Sequence, residues 1–287
     1  MFKLKAIMIL LMVLCMIHFG ISQEKYAVII TGNNAYSSSV PLTSQWQSSN
    51  AVLGEPAPEF WNDTYLMWEM LVYEMDYLDE NVFVIFATGE DAQNSKVGER
   101  YIAHIQHEDE FQEGDYITDY YASINSVETV FNGLANGTSG LPQITEDDFL
   151  FVYTFGHGIV GGTDPNTSSI ELMDGELLFV EPFEELTDPI LANRKVFWMQ
   201  QCVGGDFSGV LEATNTVFNS ATHHELGTRA DNLTTNGQAV DESDFYQAEQ
   251  NDNASHGEFN FHIYSSTMGE SPTELTIMMV TYIPMPI

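Results

Sequence analysis

The chain has 287 residues, 42 acids against 8 bases and a formal charge of −34, while 44% of it is hydrophobic. Nothing in such a chain could neutralise a run of phosphates, so nucleic acid is excluded as a partner. The apolar content and length suit a globular protein with a sizeable core rather than a disordered one.

Residues 1–22 read as a secretory signal peptide. Lys3 and Lys5 precede an apolar run from Ala6 to Ile17, and Gly20-Ile21-Ser22 supplies small residues before Gln23. The run is too short to span a bilayer comfortably, and no later segment is apolar enough, so no membrane span is expected once the signal is removed. Residues 23–287 form the expected folded domain of a secreted or otherwise extracytoplasmic protein. Removal of the signal takes Cys15 with it and leaves Cys202 as the one cysteine. A secreted protein with a single thiol cannot close an internal disulfide, so that thiol is a buried small hydrophobe, an intermolecular link or a reactive group.

In chain order, Lys25–Thr31 is a continuous apolar run ending at Gly32-Asn33-Asn34, the pattern of a strand buried on both faces. Ser37 to Pro58 has loop composition. Asn62 or Asp63 is the expected N-cap of a helix carrying Leu66, Met67, Met70, Leu71 and Met75 on one face. Asn81–Thr88 is a second buried strand, and Ala122–Leu134 a second amphipathic helix. Phe149–Phe155 is a third strand running into Gly156-His157-Gly158; a loop and then a helix near Phe179–Ala192 follow. Lys195–Gln200 is a fourth strand ending at Gln201-Cys202, and Asn215–Ser220 a fifth. Residues 228–256 read as a long surface loop before a late strand, Gly257–Ser265. Strands alternating with helices at this spacing predict an α/β sandwich with a mainly parallel sheet.

In such sheets ligands sit beyond the carboxyl ends of the strands. His157 and Cys202 each fall just after a buried strand, and each is followed by glycine-rich chain, Gly158 in one case and Val203-Gly204-Gly205 in the other. If the two strands are neighbours, both side chains reach one site. An imidazole beside a thiol can take its proton and leave a nucleophilic thiolate. The N–H groups of Gly158 and Cys202 are then candidates for stabilising an oxyanion.

Strand-His-Gly followed by strand-Gln-Gln-Cys-Val-Gly-Gly resembles the caspase-like cysteine peptidases, the clan of caspases, metacaspases, legumain and gingipains. KYAVIITGNN, EFWNDTYLMWEMLVYEM, NVFVIFATGED, DDFLFVYTFGHG, KVFWMQQCVGGDF and HGEFNFHIY fall in the order shown by legumain-type and related bacterial caspase-like domains. The resemblance covers most of Lys25 to Ser265. It implies a caspase-like three-layer α/β/α sandwich and hydrolysis of a peptide or protein substrate through a thioester, with Cys202 as nucleophile and His157 as base. The same dyad could instead transfer the acyl group to an amine, and an inactive domain of this fold could serve as a surface binding or adhesion module.

Departures from the family bear on specificity. Legumains carry an arginine soon after the first strand to bind a P1 asparagine, and residues 32–52 contain no Arg or Lys. Gln200 and Gln201 stand where an acidic residue often precedes the cysteine. In metacaspase-like relatives an Asp at the start of the first helix helps form an acidic pocket for P1 Arg or Lys, and Asp63 is the matching position. A basic P1 residue is therefore the expected specificity. Asn33 is a candidate to orient His157, or simply a turn residue. Arg229 is a candidate site of self-cleavage. The adjacent pair His223-His224 does not share one face and reads as surface, while His104 and His107 lie in the acidic stretch before Tyr121, where metal binding is the lesser alternative to a solvated surface. The chemistry requires no cofactor, and calcium is a candidate for ordering the acidic loops.

Overall fold

The computed structural model describes residues 23–32, 59–91, 116–161 and 164–222, together with two short strands, Asn232–Leu233 and Ala239–Val240, that pair with each other. Several expectations concern residues outside these: the signal peptide, the loop from Ser37 to Pro58, the strand Gly257–Ser265, Asn33, His104, His107, His223, His224 and Arg229.

The core is a five-stranded sheet, all parallel, in the order β2-β1-β3-β7-β8. The strands are β1 (Lys25–Thr31), β2 (Val82–Phe86), β3 (Phe149–Phe155), β7 (Arg194–Met199) and β8 (Thr216–Ser220). β1 lies inside the sheet between β2 and β3, and Ala27 to Thr31 are buried on both faces, which requires a layer on each side. Alternation assigns the faces. Val28, Ile30, Leu150, Val152, Phe197 and Met199 meet α2 (Ile124–Asn136) and α3 (Val180–Thr187). Ala27, Ile29, Val84, Phe86, Phe151, Tyr153 and Phe155 meet α1 (Glu59–Glu69). The result is a three-layer α/β/α sandwich with a mainly parallel sheet, as expected from the sequence.

The helices follow from local chemistry. α2 starts where the Ser123 hydroxyl accepts the Ser126 N–H at 3.2 Å, and stops at Gly137 in the left-handed conformation, φ 66°. Its Val127, Val130, Phe131 and Leu134 recur at helical spacing and are all buried. α1 begins at Glu59, a full turn before the expected cap. Asn62 and Asp63 are therefore not N-caps but interior positions. The reason is Phe60, which is buried and adds an apolar turn upstream; Thr64 donates its hydroxyl to the Phe60 carbonyl four residues back at 2.7 Å.

Two regions carry structure not expected from the sequence. Tyr116–Tyr121 runs beside β2, with Tyr120 bridged to Ile85, and the Asp91 carboxylate accepts from the N–H groups of Ile117 and Thr118. The stretch after His157 is not a plain loop but a small antiparallel sheet, β4 (Gly158–Ile159), β5 (Ser169–Glu171) and β6 (Leu177–Phe179). α3 is accordingly shorter than Phe179–Ala192, ending at Thr187, two residues ahead of Pro189.

Candidate active site

β3 and β7 are neighbours, with Thr154 opposite Met199. The ladder continues one step further, Gln200 N–H donating to Thr154 C=O at 2.8 Å, and both chains then leave the sheet at its carboxyl edge. His157 and Cys202 each lie three residues past that aligned pair, so the two predicted residues leave the sheet side by side.

The chain reaches His157 through Gly156, whose φ of 138° suits glycine alone. The His157 carbonyl accepts the Glu171 N–H at 2.9 Å, fixing its backbone to β5. Its half-buried ring meets Phe60 of α1 edge-on, with centroids 5.4 Å apart, and Phe60 packs in the same manner on Phe155 at 5.0 Å. Gly158 then lies against the backbone of Cys202. A Cβ on Gly158 would stand 2.7 Å from the Cys202 carbonyl carbon and closer still to its oxygen. The Glu171–His157 bond makes Gly158 and Ile170 a non-hydrogen-bonded pair of the ladder, so the Gly158 N–H is not engaged with β5.

Cys202 is partly exposed and sits in a tight turn closed by Gly204 N–H donating to Gln201 C=O at 3.2 Å. The next residue, Val203, is fully buried and left-handed at φ 55°. For a β-branched residue this is strain on the order of 1–3 kcal/mol, held in place by its surroundings. Thr222 clamps the turn from β8's exit, donating its hydroxyl to Gln201 C=O at 3.2 Å and accepting Gly205 N–H at 2.9 Å.

Asp63 is 1% exposed and lies one turn from Phe60 on α1. Thr64, beside it, shares a 2.6 Å hydroxyl contact with Thr31 at the end of β1. Asp63 thus belongs to the helix face that meets the carboxyl edge of the sheet, the side where Phe60 touches His157.

Two polar atoms at this edge were not expected from the sequence. The Gln201 Oε1 accepts from the Thr154 hydroxyl at 2.6 Å, but its Nε2 is buried without a hydrogen-bond partner among the described residues. Gln200 is 1% exposed and its Oε1 is likewise without one. Along β7, Val196 and Trp198 turn to α1's face, and continuing that alternation places Gln200 there too. An unsatisfied buried amide atom costs about 1–3 kcal/mol, and such groups ask for an explanation. The sequence signal was only their position before Cys202.

Among the described residues no group of three or more His, Cys, Asp or Glu is arranged to hold a metal ion, and no helix is long and apolar enough to cross a membrane. No family model matches the chain, and no curated protein matches it.

Proposed function

We propose that this chain is a secreted cysteine endopeptidase of the caspase-like type, working through a Cys202–His157 dyad. The observation that carries the reading is the packing of Gly158 on the Cys202 backbone, which brings the glycine-flanked histidine and the single mature thiol to one edge of the sheet. In the proposed reaction His157 takes the thiol proton and the Cys202 sulfur attacks the scissile carbonyl carbon. The oxyanion accepts from the N–H groups of Gly158 and Cys202. Collapse of the intermediate expels the amine, which leaves with the proton from His157, and the acyl group remains as a thioester. His157 then deprotonates a water that hydrolyses the thioester and regenerates the thiol.

The proposed specificity is for Arg or Lys at P1. It is supported by the buried carboxylate of Asp63 and by the buried acceptor Gln200 Oε1, which has no hydrogen-bond partner among the described residues, on the same side of the sheet edge. Both are acceptors, which suits a cationic side chain rather than a carboxylate.

The test is hydrolysis of fluorogenic peptides with Arg, Lys, Asn or Asp at P1, with and without calcium, by the wild type, Cys202→Ala and Asp63→Asn. Turnover of the basic peptides, abolished in Cys202→Ala and selectively reduced in Asp63→Asn, is the expected result. No turnover of any peptide, with a thiol slow to alkylate near neutral pH, would instead favour a binding domain without catalysis.

A further inference from the structure

We propose that Asp206 and Ser168 form a clamp that sets the distance between His157 and Cys202, making Asp206 a positioning residue of the site. This rests on the dyad reading above. The Ser168 hydroxyl donates to Asp206 Oδ2 at 2.6 Å, with Ser168 fully buried and Asp206 7% exposed. The distance is that of a short hydroxyl–carboxylate bond, the stronger class of neutral-donor contact.

The placement gives the bond its meaning. Ser168 immediately precedes β5, the strand whose Glu171 N–H holds the His157 carbonyl. Its own backbone is fixed at both ends, Ser168 N–H donating to Pro165 C=O at 3.0 Å and Ser168 C=O accepting Val180 N–H at 3.2 Å. Asp206 lies four residues after Cys202 in the short 3-10 turn Gly204–Phe207, and its N–H donates to the Val203 carbonyl at 3.0 Å. Phe207 and Leu211 root that turn in the core. The clamp therefore joins the hairpin that follows the histidine to the turn that carries the thiol, by a contact separate from the sheet ladder. A carboxylate is a costly choice for a buried position unless its hydrogen bonds accomplish something an apolar side chain could not.

The experiment uses the full chain as wild type, Ser168→Ala, Asp206→Ala and Asp206→Asn. It measures kcat and KM on the preferred peptide, melting temperature, and the rate at which iodoacetamide alkylates Cys202 across pH. Ser168→Ala and Asp206→Ala should each lower kcat on the order of 10- to 100-fold, with KM little changed, because the acylating geometry is lost and not substrate contact. Alkylation should slow about 10-fold at mildly acidic pH and recover at alkaline pH, where the thiol ionises without help from His157. Asp206→Asn keeps an acceptor for the Ser168 hydroxyl and should restore most of the rate. Should Asp206→Ala fail to fold, Ser168→Ala, which removes a single oxygen, decides the question by itself. A lower melting temperature with unchanged kcat and an unchanged alkylation profile would overturn the clamp while leaving the dyad standing. A wild-type thiol with no enhanced reactivity at any pH, and no turnover, would overturn both.

Discussion

Replacing Gly158 by alanine tests the core of the site with the smallest possible perturbation. The added carbon would stand 2.7 Å from the Cys202 carbonyl carbon and 3.2 Å from its Cα. Carbon atoms pack at about 3.5 Å or more, so the two chains must separate by roughly 1 Å. The obstructing atoms are backbone and no rotamer change relieves them. That backbone is the one carrying the nucleophile, and a displacement of about 1 Å in reacting groups costs on the order of 100-fold in rate, or ~2.7 kcal/mol of transition-state stabilisation. Overpacking should also lower global stability by about 1–3 kcal/mol. Gly209→Ala is the matched control, since an added Cβ there meets nothing within 4 Å. The assay is kcat/KM on a P1-Arg peptide, with urea unfolding of each variant. The expected result is a folded, weakened Gly158→Ala with kcat/KM down at least 100-fold beside an unaffected Gly209→Ala. Wild-type kcat/KM in a folded Gly158→Ala would refute the claim that His157 and Cys202 are held together by this contact.

Other outcomes concern the fold that carries the site. Partial burial raises the Asp119 carboxyl to about 6, with Asp79 and Asp91 adding to the effect and the Val84 N–H bond opposing it; burial raises Asp91 as well. A carboxyl whose folded pKa lies above its unfolded value of 3.8 leaves the native state binding more protons, so stability should fall as pH rises from 3.8 to about 6. Melting temperature against pH should therefore fall less steeply in Asp119→Asn, which keeps the acceptor for Val84; an identical slope would refute this. Phe183 is fully buried and edge-on to Phe131, Phe197 and Phe207. Phe183→Ala should lose about 3–5 kcal/mol in urea unfolding, and a loss under about 1 kcal/mol would mean the cluster beneath the Cys202 turn is not a packed core. Ser123→Ala should cost about 1 kcal/mol by removing the cap of α2, read in the same assay.

The parallel strands were legible because burial on both faces leaves an uninterrupted apolar run, as in Lys25–Thr31 and Phe149–Phe155. α2 was legible for the converse reason: Val127, Val130, Phe131 and Leu134 mark one face, though the ends that Ser123 and Gly137 set lie about two residues later than Ala122–Leu134. The start of α1 was misjudged because Asn62-Asp63 has the composition of a cap, while the residue that decides the matter, Phe60, is buried through its contacts with Phe155 and His157, which belong to a distant segment. β4, β5 and β6 are two or three residues each, too short to show a period. Asp206 and Ser168 were illegible for a similar reason: each reads as an ordinary turn residue until a contact across 38 positions joins them.

The separation of His157 from Cys202 is fixed by the same alternation that builds the core. β3 turns Val152 toward α2 and Tyr153 toward α1; β7 turns Phe197 and Met199 toward α2 and Trp198 toward α1. Sliding one strand past the other by a single residue would send the moving strand's side chains to the opposite face, so that the packing of Val152 and Phe197 on one layer and of Tyr153 and Trp198 on the other opposes that register. Sliding by two would preserve the faces but move His157 about 6–7 Å along the edge from Cys202. Such a slip is opposed by the polar pair at the strand ends, where the Thr154 hydroxyl donates to Gln201 Oε1. Side-chain packing on the two faces thus opposes the odd registers, and a buried hydrogen bond, two residues before Gly156 and next to Cys202, adds to what opposes the even slips.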